Sequence, residues 1–274
     1  MLPPNLSGQT RLVPILAHPV GHVKAPRSYN PAFAAAGLDW CQVAMGVHPD
    51  ALADTLAVLA RVTNLQGVNL TIPHKAQGFR LCRWLTREAR SSGTVNTLRL
   101  EADGAWAGSN SDGIGFVGAA RAHGLLDRTR PVVIAGGGGA GTAIAFALLE
   151  AGVQDLQIWD SDGARTQALL AALRAAHPQC RIGDERSAVQ RAGLAVNATP
   201  MGLHAEDAAP LDAAALPADA ALFDIIAARD TELMAAAAAR GLRVLGGRAM
   251  VEHQLAHQIA FWRGDPFPLE RQAP

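Results

Sequence analysis

A short apolar run that ends in a cluster of glycines constrains the fold of this chain more than any other stretch. Residues 131–135 are rich in β-branched side chains, and a helical run, residues 142–150, follows the glycines at once. A strand, a tight turn and a helix start in this order are typical of a dinucleotide-binding unit, in which the helix N-terminus faces a pyrophosphate. The glycines of the turn are therefore candidate cofactor-binding residues: Gly136, Gly138, Gly139 and Gly141.

An acidic residue at the end of the next predicted strand supports the same interpretation. Asp160 closes the alternating run 156–160, about 20 residues after the last glycine, where a carboxylate would accept hydrogen bonds from ribose hydroxyls. Asp160 could instead only end a strand or cap the next helix, and Asp162 is the alternative cap.

The rest of the chain alternates between short strands and helices in two runs. Before the glycines we predict strands at 12–17, 40–47 and 67–71, helices at 29–36, 49–61 and from Pro73, and a hairpin around Asp103-Gly104. With residues 132–135, the strands expected near Leu156, Arg181, Leu194, Leu222 and Val244 make six, the number in a complete dinucleotide-binding domain. The last helix is expected at Met250–Trp262, after a break at Gly246-Gly247.

These patterns predict an α/β protein of two domains. We expect a substrate-binding α/β domain at residues 1–110 and a doubly wound Rossmann domain, which binds NAD(P), at 111–246. The helical segment 247–274 is expected to return and pack on the first domain.

Composition narrows the classes of partner and compartment. The formal net charge is zero, which gives no basic footprint for nucleic acid. No apolar run approaches the ~20 residues of a membrane span, and the first ten residues lack a secretory pattern. Three scattered cysteines indicate a reducing cytoplasm rather than a disulfide framework. We expect a cytoplasmic monomer or homodimer that binds a small molecule and neither nucleic acid nor membrane.

Five stretches, in this order along the chain, resemble the shikimate dehydrogenase family. They are Ala17-His18-Pro19-Val20, Asn69-Leu70-Thr71-Ile72-Pro73-His74-Lys75, Val95-Asn96-Thr97-Leu98, Asn110-Ser111-Asp112-Gly113-Ile114-Gly115-Phe116 and Asn197-Ala198-Thr199-Pro200-Met201-Gly202. The glycine turn lies between the fourth and the fifth, and residues 250–254 resemble the family's C-terminal signature. The resemblance covers nearly the whole chain.

The resemblance implies an NAD(P)-dependent oxidoreductase that acts on a hydroxylated cyclohexene or cyclohexane carboxylate. Lys75 and Asp112 would be its catalytic pair. Substrate hydroxyls would be bound by Thr71, Asn96 and Gln254. Gly247 would lie near the nicotinamide, and the strand end at Thr199 would face the cofactor.

The proposed chemistry suits a lysine paired with an aspartate. Oxidation of an alcohol transfers a hydride to the nicotinamide and leaves a proton for the protein to accept. We interpret Lys75 as the principal acid–base group, with Asp112 orienting it and sharing the substrate hydroxyl. A solvated lysine and a helix-capping aspartate are the alternatives, but the chain has only two lysines, Lys24 and Lys75, among 24 basic residues.

Two departures from the family pattern put the substrate in question. Val23-Lys24-Ala25-Pro26 stands where the family has Ser-x-Ser-Pro, so both hydroxyls expected to hold the substrate carboxylate are replaced. The family's tyrosine is also absent after residues 223–226. Lys24 is the candidate replacement, and Arg229 is a second possible carboxylate partner. Quinate or a related acid is therefore an alternative to shikimate.

The expected cofactor is NAD, with NADP possible. Family members that prefer NADP usually have Asn-Arg-Thr after the second strand of the domain, and this chain has Asp160-Ser161-Asp162 there. A carboxylate would repel the 2′-phosphate of NADP unless Arg165 folds back to neutralise it.

Three other interpretations stay open at this point. One is an enzyme similar to methylene-tetrahydrofolate dehydrogenase, and another is a nucleotide or metabolite sensor without turnover. The histidine pairs His18/His22 and His253/His257 have a metal-ligand spacing, but no cysteine pair or Glu-flanked zinc motif accompanies them. We therefore predict no metal site.

Overall fold

Strands and helices alternate through most of the computed structural model, which describes residues 6–272. The strands are β1 Arg11–Leu12, β2 Ile15–Ala17, β3 Trp40–Cys41, β4 Ala44–Gly46, β5 Val68–Leu70, β6 Trp84–Leu85, β7 Thr97–Leu100, β8 Trp106–Ser109, β9 Val132–Ala135, β10 Asp155–Trp159, β11 Arg181–Gly183, β12 Leu194–Asn197, β13 Ala221–Asp224, β14 Arg243–Gly246 and β15 Glu270–Arg271. The α-helices are α1 Pro26–Ala35, α2 Leu52–Leu59, α3 Lys75–Leu81, α4 Arg87–Ser92, α5 Asp112–Ala122, α6 Gly139–Glu150, α7 Gly163–Ala176, α8 Glu232–Ala239 and α9 Gly247–Arg263.

The chain divides into two units. The first runs up to Ser111 and includes the segment from Gln254 onward, and the second is Asp112–His253. The division falls within α9. The sequence-based prediction of an α/β fold with two domains is confirmed.

The second unit is built on a six-stranded parallel sheet in the order β11-β10-β9-β12-β13-β14. Ile134 of β9 pairs with Ile158 of β10 on one side and with Val196 of β12 on the other. This is the doubly wound order. The strands are added outward from β9 on one side and from β12 on the other, so that the order reverses between these two strands. Phe116 of α5 stacks on Phe223 of β13 with ring centroids 4.4 Å apart, at the centre of the core. All six predicted strands are present.

The first unit is built on a seven-stranded mixed sheet in the order β15-β6-β8-β7-β5-β2-β4. β4, β2 and β5 are parallel neighbours, whereas β7 is antiparallel to both β5 and β8. A separate parallel pair is formed by β1 and β3. Trp262, near the end of α9, packs edge-on against the rings of Phe33 and Trp40, and tilts against Tyr29.

Several predicted boundaries in the first unit are wrong. The strand predicted at 12–17 is interrupted at Val13-Pro14, so that β1 pairs with β3 while β2 pairs with β4 and β5. Proline has no backbone N–H to donate to a ladder, which accounts for the break. The strand predicted at 40–47 is divided in the same way, and α1 begins at Pro26, before the predicted start.

The start of the last helix is also corrected. Gly246 ends β14 and Gly247 begins α9, so no irregular segment separates them. Within residues 6–272, no helix combines the length and the apolar character that crossing a membrane requires.

Candidate active site

The glycine turn of the second unit follows β9 and leads directly into α6. Gly136 has a φ of +106°, which side chains disfavour. A β-carbon at Gly141 would lie 1.9 Å from the carbonyl oxygen of Gly136, so only glycine allows the helix to pack there. At Gly138, the N-cap of α6, a β-carbon would meet no atom within 4 Å. The open space at Gly138, directly before the start of α6, therefore leaves room for a phosphate group to approach backbone N–H groups, as a dinucleotide requires.

Asp160 lies beside this turn. Its Oδ2 accepts a hydrogen bond from the amide of Gly137 at 2.8 Å, and its Oδ1 accepts one from the amide of Asp162 at 3.0 Å. Burial opposes ionisation, but the hydrogen bonds from Asp162 and Gly137 outweigh it and lower the pKa of Asp160. The side chain is ionised near neutral pH at the edge of the glycine turn.

Arg165 folds back towards the same carboxylate. Its Nη1 lies 3.3 Å from Oδ1 of Asp160, and its Nη2 lies 3.5 Å from Oδ2 of Asp162. Asp162 is the N-cap of α7 and accepts a hydrogen bond from the amide of Arg165. Asp160 directly follows β10 and accepts a hydrogen bond from the glycine turn, whereas Asp162 serves as the cap of α7.

Thr199 lies in the turn that follows β12, the neighbour of β9 in the sheet. Its amide and its hydroxyl both donate to Oδ1 of Asn197, at 2.9 and 2.7 Å. A β-carbon built on Gly136 would lie 2.8 Å from the amide nitrogen of Thr199. The glycine turn and the Thr199 turn thus meet at the carboxyl ends of β9 and β12, where the strand order reverses and ligands bind in such sheets.

A buried carboxylate of the second unit was missed from the sequence. Asp224, at the end of β13, accepts hydrogen bonds from the side chains of Asn197 and Thr231 and from the amide of Ile226. Burial nevertheless raises its pKa. Gly247 lies close by, because its amide donates to the carbonyl of Ile226, and a β-carbon there would clash with the carbonyl of Ile225.

In the first unit, the candidate substrate residues gather around the carboxyl end of β5. Thr71 follows this strand, and Lys75 begins α3 four residues later. The carbonyl of Lys75 accepts a hydrogen bond from the amide of Val95 at 3.1 Å, and the carbonyl of Asn96 accepts one from the amide of Leu70 at 2.9 Å. Backbone hydrogen bonds therefore hold Thr71, Lys75 and Asn96 at one end of the sheet.

Asn96 belongs to a buried polar network that extends to α9. Its Oδ1 accepts hydrogen bonds from the amide of Ser111 at 3.0 Å and from the hydroxyl of Thr97 at 2.7 Å. The hydroxyl of Ser111 in turn lies 3.4 Å from Oε1 of Gln254. The structure thus brings Asn96 and Gln254 together through Ser111, and the network continues to Gln258, which sequence reasoning missed.

The remaining site predictions fall in different surroundings. Asp112 is buried at the start of α5. Lys24 is exposed, and its Nζ lies 3.4 Å from the carbonyl of Gly21. Arg229 contacts the carbonyl of Gly202 and the carboxylate of Glu232, so local partners occupy its guanidinium. The described residues contain no cluster of three or more His, Cys, Asp or Glu side chains suited to a metal ion.

Comparison with known proteins identifies relatives over nearly the whole chain. Residues 15–98 match the shikimate dehydrogenase substrate binding domain. The chain is 35% identical to a shikimate dehydrogenase (NADP(+)) of Rubrobacter xylanophilus, over 96% of this chain and 94% of that protein. It is 34% identical to the protein of the same name from Acidiphilium cryptum, over 94% and 92%.

Solved structures that resemble this chain include proteins of the same names as these sequence relatives or of related names. Shikimate 5-dehydrogenase from Thermus thermophilus, in complex with NADP(H) and shikimate, superposes with a TM-score of 0.81 at 32% identity and covers 94% of this chain and 95% of its own. Quinate dehydrogenase from Corynebacterium glutamicum, in complex with NAD, gives a TM-score of 0.81 at 27% identity, with 93% and 94% covered. The resemblance seen in the sequence is confirmed, and the chain belongs to the shikimate dehydrogenase family.

Proposed function

We propose that this protein is an NAD(P)-dependent dehydrogenase that acts on a ring hydroxyl of shikimate, quinate or a related hydroxylated cyclic acid. The observation that carries the proposal is the grouping of Thr71, Lys75 and Asn96 at the carboxyl end of β5. Hydroxyl, ammonium and amide groups are the donors and acceptors that a polyhydroxylated ring requires.

We assign the substrate to the first unit and the cofactor to the second. The open space at Gly138 and the carboxylate of Asp160 support a dinucleotide at the glycine turn. Thr199 and Gly247 complete the proposed cofactor side. When bound, the nicotinamide supplies the hydride acceptor.

The protein's own task is to handle the proton. Lys75 is the proposed acid–base group, because its ammonium can lose and regain a proton within hydrogen-bond reach of a substrate hydroxyl. Asp112 is the proposed second member of the pair, and Gln254, Asn96 and Thr71 are the proposed ligands of the other hydroxyls. Each of these side chains acts by binding, orienting or exchanging a proton.

The part of the proposed site that would hold the substrate carboxylate differs most from the family pattern. Val23 and Ala25 are half-buried and offer no hydroxyl, while Lys24 is exposed on the same turn. Buried carboxylate oxygens without donors cost on the order of 1–3 kcal/mol each. If shikimate binds there, replacing both residues by serine should lower its KM. A rise in KM together with a fall in kcat would show that this end holds a different group.

We further propose that NAD is preferred over NADP. The ionised carboxylate of Asp160 suits two ribose hydroxyls, and it would face the 2′-phosphate of NADP with like charge, which costs on the order of 1–4 kcal/mol. We expect kcat/KM to favour NAD roughly tenfold or more. Arg165 weakens this effect by pairing with Asp160, so Arg165→Ala should widen the preference and Asp160→Ala should narrow it.

The variant Asp127→Asn, at an exposed acidic residue that precedes β9, serves as the control and should leave the ratio unchanged. The relatives described above are named for NADP(+). If this protein also prefers NADP, and Asp160→Ala does not alter that preference, then Asp160 does not select the cofactor and the proposal is wrong.

A substrate panel tests the function itself. Reduced nicotinamide should form with shikimate or quinate and with neither 5,10-methylene-tetrahydrofolate nor buffer alone. Binding of NAD without turnover of either acid would indicate a sensor, and turnover of the folate would indicate the other two-domain dehydrogenase class.

A further inference from the structure

We propose that Asp224 is a positioning residue for the cofactor, which acts through Asn197 to hold the turn that contains Thr199. This inference rests on the proposed function, in which Thr199 lies on the cofactor side of the second unit. Asn197 ends β12, Asp224 ends β13, and the two residues are paired neighbours in the sheet. Neither residue is exposed to solvent. The carboxylate of Asp224 therefore lies beside the residue from which the Thr199 turn begins.

The side-chain amide of Asn197 has one orientation that satisfies its backbone neighbours. Its Oδ1 accepts a hydrogen bond from the amide of Thr199 at 2.9 Å, and its Nδ2 donates to the carbonyl of Met201 at 3.0 Å. A backbone N–H only donates and a backbone carbonyl only accepts. A rotated amide would put its NH2 group against the N–H of Thr199 and its oxygen against the carbonyl oxygen of Met201. The orientation of Asn197 is therefore fixed by backbone groups alone.

Asp224 receives a donor of fixed direction on each of its carboxylate oxygens. Oδ1 accepts a hydrogen bond from the amide of Ile226 at 3.0 Å, and Oδ2 accepts one from Nδ2 of Asn197 at 3.1 Å. The hydroxyl of Thr231 also lies 2.8 Å from Oδ2. An asparagine could not replace this carboxylate, because its NH2 group would face the N–H of Ile226 in one orientation and the NH2 group of Asn197 in the other. A buried donor that faces another donor is strongly disfavoured.

The hydrogen bonds of Asn197 join the Thr199 turn to the neighbouring strand. Oδ1 of Asn197 accepts from both the amide and the hydroxyl of Thr199, and Nδ2 donates across the turn to the carbonyl of Met201. The bond from Nδ2 to Asp224 ties this side chain to the end of β13. The Thr199 turn lies against the glycine turn, since a β-carbon built on Gly136 would lie 2.8 Å from the amide nitrogen of Thr199. Asp224 thus fixes, through Asn197, the shape of the turn beside the proposed phosphate site.

Binding of NAD to the enzyme in the absence of any acid tests this role without turnover. In Asp224→Asn we expect the Kd for NAD to rise roughly tenfold, the effect of about one lost hydrogen bond. In the Asn197→Ala background, Asp224→Asn should add less than about twofold, since it acts through Asn197. Thr231→Val is the matched control, because it removes the hydroxyl beside the same carboxylate and the N-cap of α8. It should lower stability and change the Kd less than about twofold.

Additive effects of Asp224→Asn and Asn197→Ala on the Kd, or an equal loss of affinity in Thr231→Val, would overturn the proposal. Hydrogen exchange followed by NMR is the second readout. The backbone amide of Thr199 should exchange roughly tenfold faster in Asp224→Asn than in Thr231→Val, and equal rates would indicate general damage and overturn the role.

The wild type gives a result even if Asp224→Asn does not fold. Both Nδ2 protons of Asn197 should exchange slowly with solvent, because one is donated to Met201 and the other to Asp224. A fast-exchanging proton at this nitrogen would overturn the positioning role. If the wild type bound neither NAD nor NADP, the proposed function would fail, while the exchange rates would still decide whether Asp224 holds the turn.

Discussion

At Gly141 a β-carbon would lie 1.9 Å from the carbonyl oxygen of Gly136, whereas at Gly138 a β-carbon would meet no atom within 4 Å. The two glycines belong to one turn, yet they serve different purposes. Gly141 is required by the close packing of α6 on the turn, and Gly138 is required only if a ligand approaches it. This difference can be measured.

We expect Gly141→Ala to destabilise the protein by about 1–3 kcal/mol or more, the usual cost of overpacking. Gly138→Ala should change the free energy of unfolding by less than about 1 kcal/mol, because alanine is only a poorer N-cap, but it should weaken binding of the cofactor. Chemical denaturation and cofactor titration of both variants check this. If Gly138→Ala and the wild type bind the cofactor with equal affinity, the proposal that a cofactor phosphate binds at this turn is wrong.

His257 is a buried group through which we expect the stability of the first unit to depend on pH. Its Nε2 lies 3.0 Å from the hydroxyl of Ser109, and the ring of Phe267 packs edge-on against it. Burial lowers the pKa of His257, and the carboxylate of Glu88 offsets only part of this effect. The fold therefore favours the neutral ring, and the unfolded chain binds more protons below its ordinary pKa of about 6.5.

The free energy of unfolding should consequently fall as the pH falls from about 6.5 through the lowered pKa of the folded state. We expect His257→Gln to lose less stability than the wild type between about pH 7.5 and 5.5. Burial also lowers the pKa of His74, and that contribution should persist in the variant. His204→Gln, at an exposed position, is the control. Parallel pH profiles for His257→Gln and wild type would contradict the assignment.

At the scale of the elements, the last turns of α9 belong to the core of the first unit. Trp262 is 2% exposed, and its indole N–H donates to the carbonyl of Leu98 at 3.1 Å. A β-carbon at Gly67 would clash with the indole ring, so the strand side is shaped to receive it. Because the contact partners are far apart in sequence, α9 ties the end of the chain to its beginning.

Trp262→Phe should therefore destabilise the protein by about 2–4 kcal/mol through a cavity and a lost hydrogen bond. Trp84→Phe is the matched control, since the indole of Trp84 is partly exposed and bonds only to the exposed carboxylate of Asp103. We expect a change below about 1 kcal/mol for the control. Similar losses in denaturation midpoint for both variants would show that the α9 contact is not specific.

The elements also show what sequence patterns can predict. Four of the six strands of the second unit, β9, β10, β12 and β13, were predictable as buried, mostly apolar runs bounded by turn residues. The edge strands β11 and β14 are more exposed and were predicted from the repeating order of strands and helices. β6 and β15 were missed because two residues carry no measurable period, and α4 was missed because Ala89 is the single apolar residue among its six. In the candidate site, Thr71, Asn96 and Gln254 are proposed from motif resemblance, and their roles stay predictions. Gln258 and Asp224 were missed because a polar residue reads as exposed until the structure shows its partners.

At the scale of the whole molecule, the proposed function assigns separate tasks to the two units. Asp160 and the glycine turn lie in the second unit, while Lys75 and Asn96 lie in the first. The sequence could not predict which acid is the substrate, since Val23, Lys24 and Ala25 replace the family's usual residues. The proposed proton transfer depends on the side chain of Lys75, whichever acid is the substrate.

The turnover number of Lys75→Ala tests the central claim most directly. If Lys75 carries the proton, kcat for the best acid of the panel should fall roughly 10²–10⁴-fold, the usual scale of acid–base catalysis, while KM changes far less. Lys24→Ala, at the only other lysine, should raise KM and leave kcat nearly unchanged. Near-normal turnover by a folded Lys75→Ala protein would contradict the account.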